Sequence, residues 1–288
     1  MSQRATLGLF VAAGLALLAA CVQQPGKPIA ARAAEAIEAN RRAELRFRSG
    51  DLEGAVQHYR EALRIAQSIE DVEGIAANAI NLSIAYQRLG KHAEARASLA
   101  SVLDHSRLNF PRARLAQAAL RRALLDLEQG RHADAAAWLE QAANWCGQQG
   151  CTLLAAIRNA EGLLALAEGR TDAAAASARA ALEASRGAGN RVEAANAMRL
   201  LGNVAIRAGD AAAALAMLAE ALAIDRELAL PRKIYLDLVG LGRASAQGGE
   251  RARARAYYER ALAVSEADRD AAGAAEARDL IRGLGNIP

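Results

Sequence analysis

Cysteine, histidine and a stripe of arginine and asparagine are the residues whose types and spacing could do chemistry in this chain. Two of the three cysteines in 288 residues, Cys146 and Cys151, stand in the stretch WCGQQGC. A thiol pair can ligate a metal, run a dithiol–disulfide couple or close a loop. Four residues separate the pair, not the two of a C-x-x-C redox motif, and no histidine or third thiol completes a metal set beside it. The compartment decides among the remaining roles.

The four histidines, His58, His92, His105 and His132, fall in no metal-ligand or H-E-x-x-H spacing. Carboxylates such as Glu35, Glu38 and Glu44 sit on a solvated helix face. No G-x-S-x-G, phosphate loop or dinucleotide fingerprint occurs, and the glycine pair of RGAGN (186–190) lacks a preceding strand. These readings predict no catalytic residue, no metal and no cofactor. The donors that stand out are Asn196, Arg199, Asn203, Arg207, Arg243 and Gln247. Arg199, Asn203 and Arg207 lie four apart on one helical stripe, and an arginine fork beside an amide suits a carboxylate or a peptide backbone.

Such a stripe needs helices to hold it, and the composition supplies them. From residue 33 onward the chain is rich in Ala, Leu, Glu and Arg, which are strong helix formers, and only 3% of the sequence is aromatic. Segments such as RSGDLEGAVQHYREAL, RAGDAAAALAMLAEAL and QGGERARARAYYERAL align on Gly50, Gly90, Gly130, Gly169, Gly209 and Gly249, spaced 40, 40, 39, 40 and 40 residues apart. Five residues past each glycine stands an alanine: Ala55, Ala95, Ala135, Ala174, Ala214 and Ala254. Seven before it stand Ala43, Ser83, Ala123, Gly162, Gly202 and Gly242. Two helices approach closely only where side chains are small, so these positions predict antiparallel hairpins crossing there. The glycine ends the first helix in a left-handed turn, and Asp51 or Asp210 caps the second. Each hairpin leaves an apolar face that only a neighbour can cover, which predicts an all-α solenoid.

This pattern of a small residue, Gly-Asp, Ala, an aromatic or Leu, Ala and Leu resembles the tetratricopeptide repeat. Tyr59 and Tyr258 fill the aromatic slot, whereas Leu99, Leu139, Ala178 and Leu218 depart from it. The period resembles the longer-helix variant of kinesin-light-chain-type repeats, as in EGIAANAINLSIAYQRLGKHAEA (73–95). The resemblance implies a right-handed α-solenoid of about six helix–turn–helix repeats, with SEADRDAAGAAEARDLIRGLG as a C-terminal capping helix. It also places the donor stripe on the concave face that such proteins use for binding. The stripe of Arg199, Asn203 and Arg207 partly resembles the carboxylate clamp of chaperone-binding members, although Gly240 stands where the clamp would have its next asparagine. Trp138 and Trp145, seven apart, share a face of the third unit's second helix, as buried packing or as an exposed anchor.

The N-terminus reads differently. Arg4, the apolar run TLGLFVAAGLALLAA and then Cys21 form a secretory signal too short for a comfortable membrane span. Leu18-Ala19-Ala20-Cys21 resembles the lipobox of bacterial lipoproteins, which implies a signal peptide over 1–20 and lipidation of Cys21. Val22 after the cysteine points to the outer membrane, facing the periplasm. The segment VQQPGKPIAARAA then reads as a flexible tether over 21–32 carrying a domain over 33–288. Removing residues 1–20 takes away only Arg4, so 36 basic side chains become 35 against 32 acidic, a net charge of +3. That balance speaks against nucleic acid and against a polybasic lipid-binding surface.

An exported protein meets an oxidising compartment, so Cys146 and Cys151 are expected to form a disulfide closing the turn between two repeats. Together these readings predict an envelope-anchored scaffold that binds peptide or protein partners on its concave face, without catalysis. Two alternatives stand beside it: an envelope enzyme with a cryptic site, and a pilotin or assembly factor acting through self-association as a homodimer.

Overall fold

A computed structural model describes residues 31–104, 107–147 and 151–285. Cys21, the signal segment and His105 lie outside the described residues. Helices account for all regular structure among the described residues, and none is long and apolar enough to cross a membrane.

They pair as the repeat pattern requires. The hairpins are α1 (Ala31–Arg48) with α2 (Leu52–Ser68), then α3 (Val72–Arg88) with a second helix broken into α4 (His92–Ala97) and α5 (Ala100–Leu103). They continue with α6 (Arg112–Glu128) and α7 (His132–Cys146), and with α8 (Leu154–Ala167) and α9 (Thr171–Gly187). The last two are α10 (Arg191–Ala208) with α11 (Ala211–Glu227), and α12 (Pro231–Gln247) with α13 (Arg251–Ala267); α14 (Ala271–Gly283) covers the end. Each helix packs on its hairpin partner and on the next hairpin, giving a right-handed α-solenoid. Helix α1 begins at Ala31, so residues 31 and 32, expected in the tether, are helical.

The aligned residues do what close packing asks of them. All six repeat glycines have positive φ, between 68° and 83°, the left-handed turn an L side chain resists. The alanines five residues on are all fully buried, as are Ala43, Ser83 and Ala123 at the crossing of the early hairpins. At Gly242 a Cβ would stand 2.9 Å or less from three atoms of the Tyr258 ring, so the aromatic slot is filled at the expense of the facing side chain. Asp51 and Asp210 cap α2 and α11, accepting from Gly54 N and Ala213 N at 2.9 Å each.

Connections between hairpins fall into two kinds. Those at 69–71, 188–190, 228–230 and 268–270 are three residues long, with Glu70, Gly189, Ala229 and Arg269 at positive φ in the middle. Those around 104–111 and 147–153 are longer. Across the second of these, α7 and α8 pack over less of their length than α9 with α10 or α11 with α12. A Cys146–Cys151 disulfide spans it, Cα atoms 5.4 Å apart.

The solenoid returns on itself. Arg269 Nη1 donates to the Ser49 carbonyl at 3.1 Å, and Arg88 Nη2 meets Asp268 at 3.3 Å. The turn of the first hairpin thus lies against the connections that flank the last one.

Candidate functional site

The first helices of successive hairpins form the inner wall, and polar side chains lace them together. Between α3 and α6, Arg121 donates to Ser83 Oγ at 2.9 Å and to Gln87 Oε1 at 2.6 Å, and Arg114 to Glu73 at 2.6 Å. Burial lowers the Arg121 guanidinium to about 10, partly offset by Glu128. Between α8 and α10, Asn159 donates to the Glu193 carboxylate at 2.8 Å and to its carbonyl at 3.0 Å. These bonds satisfy polar groups at the interface between hairpins, where unpaired donors would be costly.

The largest such cluster takes up much of the donor stripe. Arg199 is 9% exposed; its Nε donates to Asp237 at 2.6 Å, its Nη1 to Asn196 at 2.9 Å, and its Nη2 pairs with Asp225. Lys233 Nζ donates to Asn196 Oδ1 at 2.6 Å. Asp225 and Asp237 are both fully buried, and each keeps one oxygen, Asp225 Oδ1 and Asp237 Oδ2, without a hydrogen-bond partner. The two carboxyls stand within hydrogen-bonding reach of each other. Burial, with Asp225 beside it, raises Asp237 to about 7 against the pull of Arg199. One proton shared between the carboxyls would satisfy both orphan oxygens.

The six expected binding residues therefore divide. Arg199 and Asn196 are held inside the α10–α11–α12 cluster, where the expectation had them facing a partner. Gln247 Nε2 donates to the Ile206 carbonyl at 2.9 Å, and Arg243 pairs with Glu276 at 3.0 Å on the exposed face. Asn203, half-buried, and Arg207, exposed, make no side-chain hydrogen bond or ion pair among the described residues. The donors open to a ligand are at the C-terminal end of the stripe.

Asp225 and Asp237 are the polar residues the sequence reading missed, and the repeat register carries a signal for the first of them. Asp225 lies sixteen past Gly209, where the other repeats place Ala66, Ser185 and Ser265. Asp237 lies twelve before Gly249, where the other repeats place Glu38, Asn78, Ala118, Ile157 and Ala197, so this slot alone does not single it out. At Asp225, a carboxylate in a slot that holds Ala66, Ser185 and Ser265 in other repeats marks a buried charge in need of a cation.

The other candidates have structural surroundings. Trp138 and Trp145 are half-buried against a cluster that includes Leu139 and Ile157, with Arg122 5.4 Å over the Trp138 ring. His92 Nδ1 is 3.9 Å from Glu128. Among the described residues no group of three or more His, Cys, Asp or Glu could hold a metal ion.

Where the solenoid meets itself, a cavity of about 730 Å³ opens between the first hairpin turn and the connections 228–230 and 268–270. Arg48, Arg88, Arg232, Lys233 and Arg269 line it with a single acid, Asp268.

A helical-hairpin solenoid with a laced inner wall and a closed seam defines a repeat protein of the interaction-scaffold class. Tetratricopeptide-repeat profiles match residues 35–107, residues 80–148 with 159–229, and residues 238–272. The chain belongs to the tetratricopeptide repeat family. No curated protein matches it in sequence. Its fold is similar to that of BtubC (BKLC) from P. vanneervenii, at 20% identity and a TM-score of 0.55, covering 84% of this chain and 93% of that one. A Rap protein complexed with competence and sporulation factor is similar at 14% identity and a TM-score of 0.60, covering 87% of this chain and 74% of that one. Cut9 and Hcn1 of the APC/C hetero-tetramer give 13% identity and a TM-score of 0.62, covering 88% and 43%. At these identities the likeness speaks for the fold alone.

Proposed function

We propose that this protein is an envelope-anchored adaptor that holds a peptide or protein partner on its inner wall, without catalysis. The observation that carries this reading is the uncommitted pair Asn203 and Arg207 on α10, next to a wall on which Arg121, Asn159, Asn196 and Arg199 are engaged by the fold. An amide and a guanidinium four residues apart are neighbours on a helix, and together they suit a carboxylate or a peptide carbonyl. That a Rap protein of similar fold was solved with a signalling factor fits such a use. The lipobox-like LAAC at 18–21 supports anchoring through Cys21, and Val22 supports the outer membrane.

Crosslinking and affinity capture from native membranes test the binding half. Asn203→Ala with Arg207→Glu should abolish recovery of partners captured by the wild type; equal recovery would overturn the reading. Metabolic labelling with a clickable palmitate tests the anchor. Cys21→Ser should lose the label and move the protein out of the membrane fraction, and a variant that stays labelled and membrane-bound refutes lipidation there.

A further inference from the structure

Five cations around one cavity are a poor arrangement for stability unless something negative sits among them. Two have local acids: Arg88 meets Asp268, and Arg232 donates to Asp270 at 2.6 Å. Arg269 spends Nη1 on the neutral Ser49 carbonyl. Lys233 donates to the neutral Asn196 oxygen; burial and Arg199 lower the pKa of its ammonium, and Glu193, Asp225 and Asp237 act against them, so its charge is turned toward the α10–α11–α12 cluster. Arg48 makes no hydrogen bond or ion pair among the described residues. The uncompensated charge therefore lies on both sides of the seam, Arg48 from the first hairpin and Arg269 from the last connection.

The backbone adds to this field. Helices α2, α3, α10, α11 and α14 begin with an Asp or Asn side chain accepting from their first turn. Helix α12, like α6, α7, α8, α9 and α13, has no side-chain cap; Leu230 stands at that place, and the helix's first residues Pro231 and Arg232 line the cavity. Pro231 has no N–H, and Lys233 N and Ile234 N both donate to the Leu230 carbonyl at 3.0 Å, so this seventeen-residue helix points its positive end and the one remaining N–H, that of Arg232, at the same space as the cations. The volume of about 730 Å³ is that of a small-molecule site.

We infer that the seam binds a small polyanion, a molecule carrying two or more phosphate or carboxylate groups, which bridges Arg48 on the first hairpin to Arg269 and the α12 N-terminus on the last. Bound there, it fastens the two ends of the solenoid together. This site is separate from the inner-wall surface around Asn203 and Arg207.

Calorimetric titration of the full chain with pyrophosphate and, separately, citrate tests this inference. At least one should bind saturably at a single site and weaken as ionic strength rises. Arg48→Ala disturbs no ion pair of the fold and should weaken that binding roughly tenfold or more, as should Arg269→Ala; Arg207→Ala should leave it unchanged. Binding of pyrophosphate alone assigns the site to phosphate, and binding of citrate alone to carboxylates. The inference fails if neither anion saturates, if Arg48→Ala binds like the wild type, or if Arg207→Ala weakens binding as much as Arg48→Ala does.

Discussion

Arg269 donates to the carbonyl of Ser49 at 3.1 Å, though 220 residues of chain separate them. Together with the Arg88–Asp268 pair it joins the first two hairpins to the last connection, in a repeat architecture whose units otherwise touch only their neighbours. The Arg269 bond is exposed and the Arg88–Asp268 pair half-buried, and pairs of this kind contribute on the order of 1 kcal/mol or less. The double variant Arg88→Ala/Arg269→Ala should therefore open the ring while leaving the thermal midpoint nearly unchanged. Small-angle scattering should report a larger radius of gyration; an unchanged radius means the seam closes without these bonds.

Arg199 should be the opposite case. It is the cation nearest two fully buried carboxylates, and removing one partner of such a set leaves uncompensated charge inside. Arg199→Ala should destabilise by about 3–5 kcal/mol in urea unfolding. Arg207→Ala, about two turns further along α10, exposed and unpaired among the described residues, should stay within about 0.5 kcal/mol. If both variants lose stability equally, Arg199 is not the keystone described here.

The same cluster gives a pH dependence with a definite sign. Asp237 is raised from the usual 3.8 to about 7, so between those values the folded state holds a proton the unfolded state has released. Stability from this group is full at low pH and is lost as pH rises through that window. Asp237→Asn keeps a donor toward Asp225 without titrating. Its stability relative to wild type should climb between 3.8 and about 7 and level off above. A flat difference across the range would refute the shared proton.

Gly242 tests the packing of the aromatic slot. A Cβ there meets the Tyr258 ring, and overpacking of this kind costs about 1–3 kcal/mol. Gly248, six residues on, has nothing closer than 3.6 Å to an added Cβ. Gly242→Ala should lower the unfolding midpoint and Gly248→Ala should not; equal tolerance at both positions would sink the argument.

The repeat was legible because it is written in small residues at fixed intervals, and those intervals are set by helix geometry that every unit shares. The binding stripe was legible only in part. Arg199, Asn203 and Arg207 do share a helix face, but each step of four residues turns the side chain by about 40° around the axis. Two steps carry the stripe from the buried junction with α11 and α12 at Arg199 to open solvent at Arg207. A spacing of four marks neighbours, not equal exposure. The seam was not legible at all, because no local pattern connects Ser49 with Arg269. It follows from the accumulated rotation of six hairpins, a sum over the whole chain.

That sum has a kinetic meaning for whatever occupies the interior. An open superhelix admits an extended chain sideways along its length, whereas one whose ends meet encircles its cargo. A polypeptide then has to thread in by a free terminus or wait for Ser49 and Arg269 to part. On the adaptor reading proposed above, capture and release would be gated by the opening of a latch far from the residues that make contact, and a bulky folded flank on both sides of a segment would bar its entry.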